Sequence, residues 1–172
     1  YADPPDRVWY AGIMRRRWLP GLAFPGYGRR DAPRYDRRRD VDYVTGCGLL
    51  VRASVLRQVG LFDEITFFMY HEDLDLSERV RRAGYRIVYA PQAHMWHKVA
   101  TSSGGSDSPS ERYWMARSSL IYFRKHARLY QWLIIGPFRL GSALKTTSRL
   151  LFGGNISAVR AYWRGLRDGL LC

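Results

Sequence analysis

The chain has 172 residues, 47% hydrophobic and 25% charged, with a formal net charge of +13. That length suits one domain with a sizeable core or a piece of a larger one, and the apolar content excludes wholesale disorder. The positive balance favours anionic partners: nucleic acid, anionic lipid or phosphorylated substrates. Cys47 and Cys172 give no disulfide framework and no metal-binding spacing, which points to a reducing compartment. No apolar run approaches the roughly 20 residues needed to span a bilayer. From Tyr1 the chain reads like the middle of a domain, with no signal-peptide pattern, so a fragment lacking its upstream part is expected.

Residues 1–40 are rich in Pro, Gly and Arg and read as loops with short strands. Their basic runs, around residues 15–18 and 29–40, read as solvated loops. "VDYVTGCGLLVR", residues 41–52, is apolar and β-branched and predicts a buried strand interrupted by Gly46 and Gly48. A short helix follows over 53–59, with Gly60 as its stop. A second helix is expected from near Asp73. Leu76, Val80 and Ala83 recur at helical spacing, Gly84 ends it, and Asp75 and Arg79 can pair on its surface. "YRIVYAP" alternates as a strand to Pro91, and "AHMWH" adds a shorter one.

"TSSGGSDSPSER" is a flexible loop ending in a helix start, with Ser108 as cap, Pro109 in the first turn and Glu111 at the N3 position of a capping box. Tyr113, Ala116, Leu120, Phe123, Ala127, Tyr130 and Ile134 predict one apolar face on a continuous helix that Gly136-Pro137 ends. Two more helical patterns follow, Phe138 to Leu151 and Ile156 to Leu170, both studded with Arg and Lys.

The chemistry concentrates in "FFMYHEDLDLSERVRRAGYRIVYAPQAHMWH", residues 67–97. Glu72 and Asp73 sit where a helix start leaves N–H groups unpaired and its dipole is positive, so capping alone is one reading. Capping needs one side chain and not two adjacent carboxylates. The apolar "FFMY" ahead of them would desolvate a carboxylate and keep it basic enough to take a proton, which is the second reading. His97 is ambiguous alone. With carboxylate oxygens it would suit a divalent cation, but spacing does not show that they meet. His71 and His94 fit no metal-binding pattern.

"VTGCGLLVRASVLRQVGLFDE", then "FFMYHEDLDLSERVRRAGYRIVYAP", then "MWH" resemble the second half of family 2 glycosyltransferases of the GT-A fold. The subgroup in view makes rhamnosyl or galactofuranosyl linkages in bacterial surface polysaccharides. The resemblance runs from about Tyr1 to about Arg128. It implies an α/β architecture: residues 1–128 as the acceptor-side half of a Rossmann-like GT-A catalytic domain, and 129–172 as a helical, basic, amphipathic extension. It implies an inverting glycosyltransferase that moves a sugar from a nucleotide-diphosphate sugar to a glycan or lipid-linked acceptor, inactive as this piece alone. By the same resemblance Asp73 is the catalytic base and Glu72 helps hold the acceptor. Thr45, Gly46 and Cys47 line the sugar and acceptor cleft, and His97 completes a Mg or Mn site. Trp96 reads as a wall or core residue. The Asp-x-Asp metal motif belongs upstream, and Asp40-Val41-Asp42 and Asp73-Leu74-Asp75 are decoys. Arg117-Ser118 stands where the family often has Arg-Asn.

A nucleic-acid-binding module would explain the charge, but there is no recognition motif and no aromatic stacking platform, so no nucleic-acid partner is expected. A membrane-associated structural domain would explain the C-terminal helices but not the Glu72-to-His97 constellation. The amphipathic basic helices tip the reading toward a peripheral role on the inner, cytoplasmic face of the cell membrane, on anionic lipid.

Overall fold

The computed structural model describes residues 1–16, 18–99 and 101–172; Arg17, part of the first basic run, lies outside the described residues. The chain divides into two units. One is a mixed α/β unit comprising 1–16, Gly21–Glu64 and Glu72–Val99. The other is α-helical and comprises Trp18–Pro20, Ile65–His71 and 101–172.

In the α/β unit the strands are short. β1 (Met14–Arg15) pairs antiparallel with β2 (Leu22–Ala23), and β3 (Arg39–Val41) pairs antiparallel with β4 (Ile87–Tyr89), Asp40 opposite Val88. The long strand expected over 41–52 is a correction: regular pairing stops at Val41. Beyond it Tyr43 makes one antiparallel bridge to Ile13, and the Gly48 N–H turns back to the Thr45 carbonyl at 3.3 Å. Two glycines within three residues favour such a turn over a ladder. "AHMWH" forms no strand either, and Trp96, expected as wall or core, is 65% exposed.

Helix α1 (Ala53–Val59) stops where expected, at Gly60, whose φ of +83° is open to glycine at little cost. Helix α2 (Glu72–Arg82) buries Leu74, Leu76 and Val80. Leu76 and Val80 form a core cluster with Val55 of α1, flanked by Leu49, Val51 and Ile87.

The polar residues of α2 hold the unit together. Asp75, expected in a surface pair, is instead fully buried and accepts from Arg79 Nε at 2.8 Å. The same guanidinium donates to the carbonyls of Val59 (2.5 Å), Gly60 (3.2 Å) and Leu61 (2.7 Å), so it takes up backbone acceptors that the end of α1 leaves open. Glu78, also buried, accepts from Arg15 (2.6 Å), Arg82 (3.0 Å) and Arg81 (3.4 Å).

In the helical unit, Ser108 caps α3 (Pro109–His126) by accepting from the Glu111 N–H at 3.1 Å. Glu111 reaches back to the N–H of Asp107, one residue earlier than a capping box predicts. The expected continuous helix through Ile134 is a second correction. Ala127 turns extended (φ −85°, ψ 144°) after a basic last turn, Arg124-Lys125-His126, that suits the negative end of the helix dipole. A 3₁₀ turn over Leu129–Gln131 leads into α4 (Trp132–Phe152). Pro137 therefore terminates nothing. It lies in the second turn of α4, where it forfeits one N–H bond.

Helix α5 (Ile156–Leu171) lies close against α3 because of two glycines one turn apart. A Cβ on Gly165 would stand 2.3 Å from the Tyr113 carbonyl oxygen, and one on Gly169 would stand 2.7 Å from that of Arg117. Ala116, Ala143 and Tyr162 make the shared core of α3, α4 and α5, with Leu166 against it.

Candidate functional site

Asp73 occupies the first turn of α2, half-buried. Its Oδ1 accepts from the Leu74 N–H at 2.8 Å, one of the N–H groups a helix start leaves free. Its Oδ2 accepts from the Gly46 N–H at 3.0 Å. One carboxylate thus caps the helix and also ties it to the loop that follows β3. The tie is reinforced behind it: Ser77 Oγ donates to the Asp73 carbonyl at 2.7 Å and accepts from the Val44 N–H at 3.2 Å. Burial raises the Asp73 carboxyl above its ordinary value, and the two backbone N–H groups pull the other way.

Glu72 is also raised, by burial first and by the Asp73 charge after it. Its Oε2 is buried without a hydrogen-bond partner. The structure brings Thr45, Gly46 and Cys47 to this corner. Gly46 touches Asp73 directly, and Thr45 Oγ1 and Cys47 Sγ stand 2.9 Å apart. Burial pushes the Cys47 thiol up, which keeps it protonated.

One residue here left no signal in the sequence. Tyr10 donates to the Tyr43 carbonyl at 3.2 Å, and its phenol is raised by burial and by the nearby Tyr89, Cys47 and Asp73. It lies 63 positions before Asp73 in a loop-like stretch, and only tertiary structure brings the two together.

His97 does not join the carboxylate pair. Its ring packs edge-on against Trp9, centroids 4.2 Å apart, and its carbonyl accepts from the Ala2 N–H at 3.0 Å. Burial lowers its pKa, so the ring is neutral near pH 7. Its Nδ1 is buried and has no hydrogen-bond partner. A neutral imidazole with a free nitrogen is a good donor to a divalent cation. One donor is not a site, however. Among the described residues no three His, Cys, Asp or Glu side chains gather closely enough to hold a metal ion, so these residues do not by themselves fit a metal centre. Apart from Asp73, the carboxylates of the two Asp-x-Asp sequences are engaged elsewhere. Asp40 makes a two-pronged pair with Arg86, Asp42 pairs with Arg81, and Asp75 is held by Arg79.

Within the helical unit, the segment 65–71 that precedes Glu72 in sequence is held in an uncommon conformation. Tyr70 and His71 have φ of +64° and +69°, in the left-handed region that non-glycine residues rarely adopt. Ser118, fully buried, donates to the Met69 carbonyl at 2.7 Å. Arg117 reaches the Thr66 carbonyl at 3.4 Å, and Tyr70 bonds Ser103 at 2.9 Å. The Arg117-Ser118 pair, where a family pattern led one to look for Arg-Asn, thus clamps this segment. His71 Nδ1 is buried without a partner, and burial together with Arg139 pushes the ring down to about 3.

Residues 25–128 match the family model described as glycosyltransferase like family 2. The chain belongs to this family. Among curated relatives, it is 38% identical over 117 residues to the N-acetylglucosaminyl-diphospho-decaprenol L-rhamnosyltransferase of Mycobacterium tuberculosis, covering 65% of this chain and 38% of that protein. It is 35% identical over 85 residues to the rhamnosyltransferase WbbL of Escherichia coli strain K12, covering 49% of this chain and 31% of that one. The chain thus spans little more than a third of the first of these family members and about a third of the second. No solved structure matches it significantly.

Proposed function

We propose that this chain is the acceptor-side part of an inverting family 2 glycosyltransferase, with residues 1–128 in a GT-A catalytic domain and 129–172 as its helical extension. The observation that carries the reading is the Asp73 carboxylate, held by the Gly46 and Leu74 N–H groups yet raised in pKa by burial. Two backbone donors fix its orientation, and burial makes it a better base than a solvated aspartate.

In the reaction, Asp73 takes the proton of an acceptor hydroxyl as that oxygen attacks the anomeric carbon from the face opposite the diphosphate. The new C–O bond forms as the bond to the diphosphate oxygen breaks. The nucleoside diphosphate leaves with the bonding pair, and the anomeric configuration inverts. Glu72, half-buried with one oxygen unpartnered, is placed to accept a hydrogen bond from an acceptor hydroxyl. Thr45, Gly46 and Cys47 line the same corner. His97 stays in the reading as one donor to a Mg or Mn ion whose other ligands come from outside these residues, and no step is routed through that ion.

Two relatives are named as rhamnosyltransferases, one of them acting on a decaprenyl diphosphate-linked sugar, and this favours a deoxyhexose donor and a lipid-linked acceptor for the complete enzyme. In this reading the enzyme works on the cytoplasmic side, at the inner face of the cell membrane. No helix among the described residues is long and apolar enough to cross a membrane.

The test is Asp73→Asn in the complete enzyme. The amide keeps the shape but is not a base, so turnover should fall about 10²–10⁴-fold while donor affinity changes little. Turnover within a factor of a few of the parent rules out Asp73 as the base.

A further inference from the structure

Helix α4 is apolar on two sides, and the fold uses only one. Ile135, Ala143 and Leu150 face the helical core. About 110° round the helix from that face, Leu133, Leu140, Leu144 and Leu151 recur at steps of seven, four and seven, 81%, 59%, 56% and 52% exposed. At 100° per residue these four fall within about 40° of one another, a straight stripe about 27 Å long. Phe152, beside its far end, is 93% exposed. An apolar stripe of this length left in water marks a docking surface.

The surroundings of the stripe indicate what covers it. On α5, Trp163 donates from its indole N–H to Thr147 of α4 at 3.0 Å, which sets a half-exposed aromatic ring beside the stripe. Arg160 and Arg167 share the exposed side of α5 with that tryptophan and with Ile156 and Leu170. Asp168 is the one carboxylate between residues 132 and 172, and it is engaged by Tyr113 and Arg167. Apolar side chains rimmed by cations and an amphipathic aromatic ring match the headgroup region of an anionic bilayer. A helix whose other side is committed to the protein core lies along such a surface and does not cross it.

We infer that the Leu133–Leu151 stripe of α4, with Trp163, Arg160 and Arg167 of α5 beside it, is a lipid-docking surface that inserts into the headgroup layer of an anionic membrane. This deepens the membrane location in the reading above, but docking requires no sugar transfer, so either one can fail without the other.

The experiment is co-sedimentation of the intact chain with vesicles of phosphatidylcholine alone and with about one-third phosphatidylglycerol. The parent should pellet with anionic vesicles, at least about tenfold more tightly than with neutral ones, and should be released as salt screens the attraction. Leu140→Glu with Leu144→Glu should weaken binding at least about tenfold while circular dichroism and thermal melting stay unchanged, because both sites are exposed. Arg160→Glu with Arg167→Glu should leave the stripe intact and remove the preference for anionic vesicles. The inference is overturned if the parent does not pellet with anionic vesicles, or if a correctly folded Leu140→Glu/Leu144→Glu variant binds as the parent does. A vesicle-blind parent that sediments as a dimer, and as a monomer once those leucines are replaced, would assign the stripe to a second copy of the chain.

Discussion

Replacing Arg79 with methionine removes a cation from a nearly buried site at little change in length. Asp75 is then left buried without its guanidinium, and the carbonyls of Val59, Gly60 and Leu61 lose their donor. Removing one partner of a buried pair costs about 3–5 kcal/mol. Arg79 keeps 21% of its side-chain exposure, so the lower end, about 3 kcal/mol, is the relevant figure. The bonds to Gly60 and Leu61 are solvent-exposed and readily replaced by water, whereas the partly buried one to Val59 adds about 1 kcal/mol. A total near 3–4 kcal/mol is a large part of a typical domain stability of about 5–15 kcal/mol. Urea unfolding followed by far-UV circular dichroism should show the midpoint falling by about 1–4 M. Asp75→Asn together with Arg79→Met removes both charges of this pair and should recover at least half of that loss. A single variant that unfolds at the parent midpoint, or a double variant no better than the single, would refute this account of the pair.

His71, with its pKa pushed down to about 3, should show no ring titration by NMR between pH 5 and 8. Its folded pKa lies below the unfolded value, so its contribution to stability is whole above about 6.5 and drains away as pH falls from there toward 3. Gly165→Val should lower the melting temperature, since its Cβ meets the Tyr113 carbonyl at 2.3 Å; overpacking of this kind costs about 1–3 kcal/mol. Glu72 has the opposite linkage to His71. Its folded pKa is raised, so its charge destabilises the fold above that pKa and the penalty vanishes as pH falls below the ordinary Glu value. Glu72→Gln should therefore melt higher than the parent at pH 7 and at the same temperature near pH 3, while the complete enzyme carrying it binds acceptor less well.

The elements legible in the sequence are those set by neighbours a few residues apart. Ser108 and Glu111 start α3, Gly60 stops α1, and α2 runs from the Glu72-Asp73 pair with its apolar side inward. Caps and stops satisfy local N–H and C=O groups, so their residue types are readable without the rest of the fold. The order of motifs from Gly46 to His97 likewise pointed to the glycosyltransferase family before any geometry was known, and the family match over 25–128 agrees. Pairing across the chain was not legible. Residues 41–52 have a strand's composition, but only Val41 joins a ladder and Tyr43 adds a single bridge to Ile13, since a strand exists only where another edge meets it. Asp75 and Arg79 have the spacing of a surface pair, and α1 covers them. Helical periodicity shows that α4 has an apolar side, but α4 is apolar on two, and only the packing of Ile135, Ala143 and Leu150 decided which of them the core keeps and which the leucine stripe leaves open.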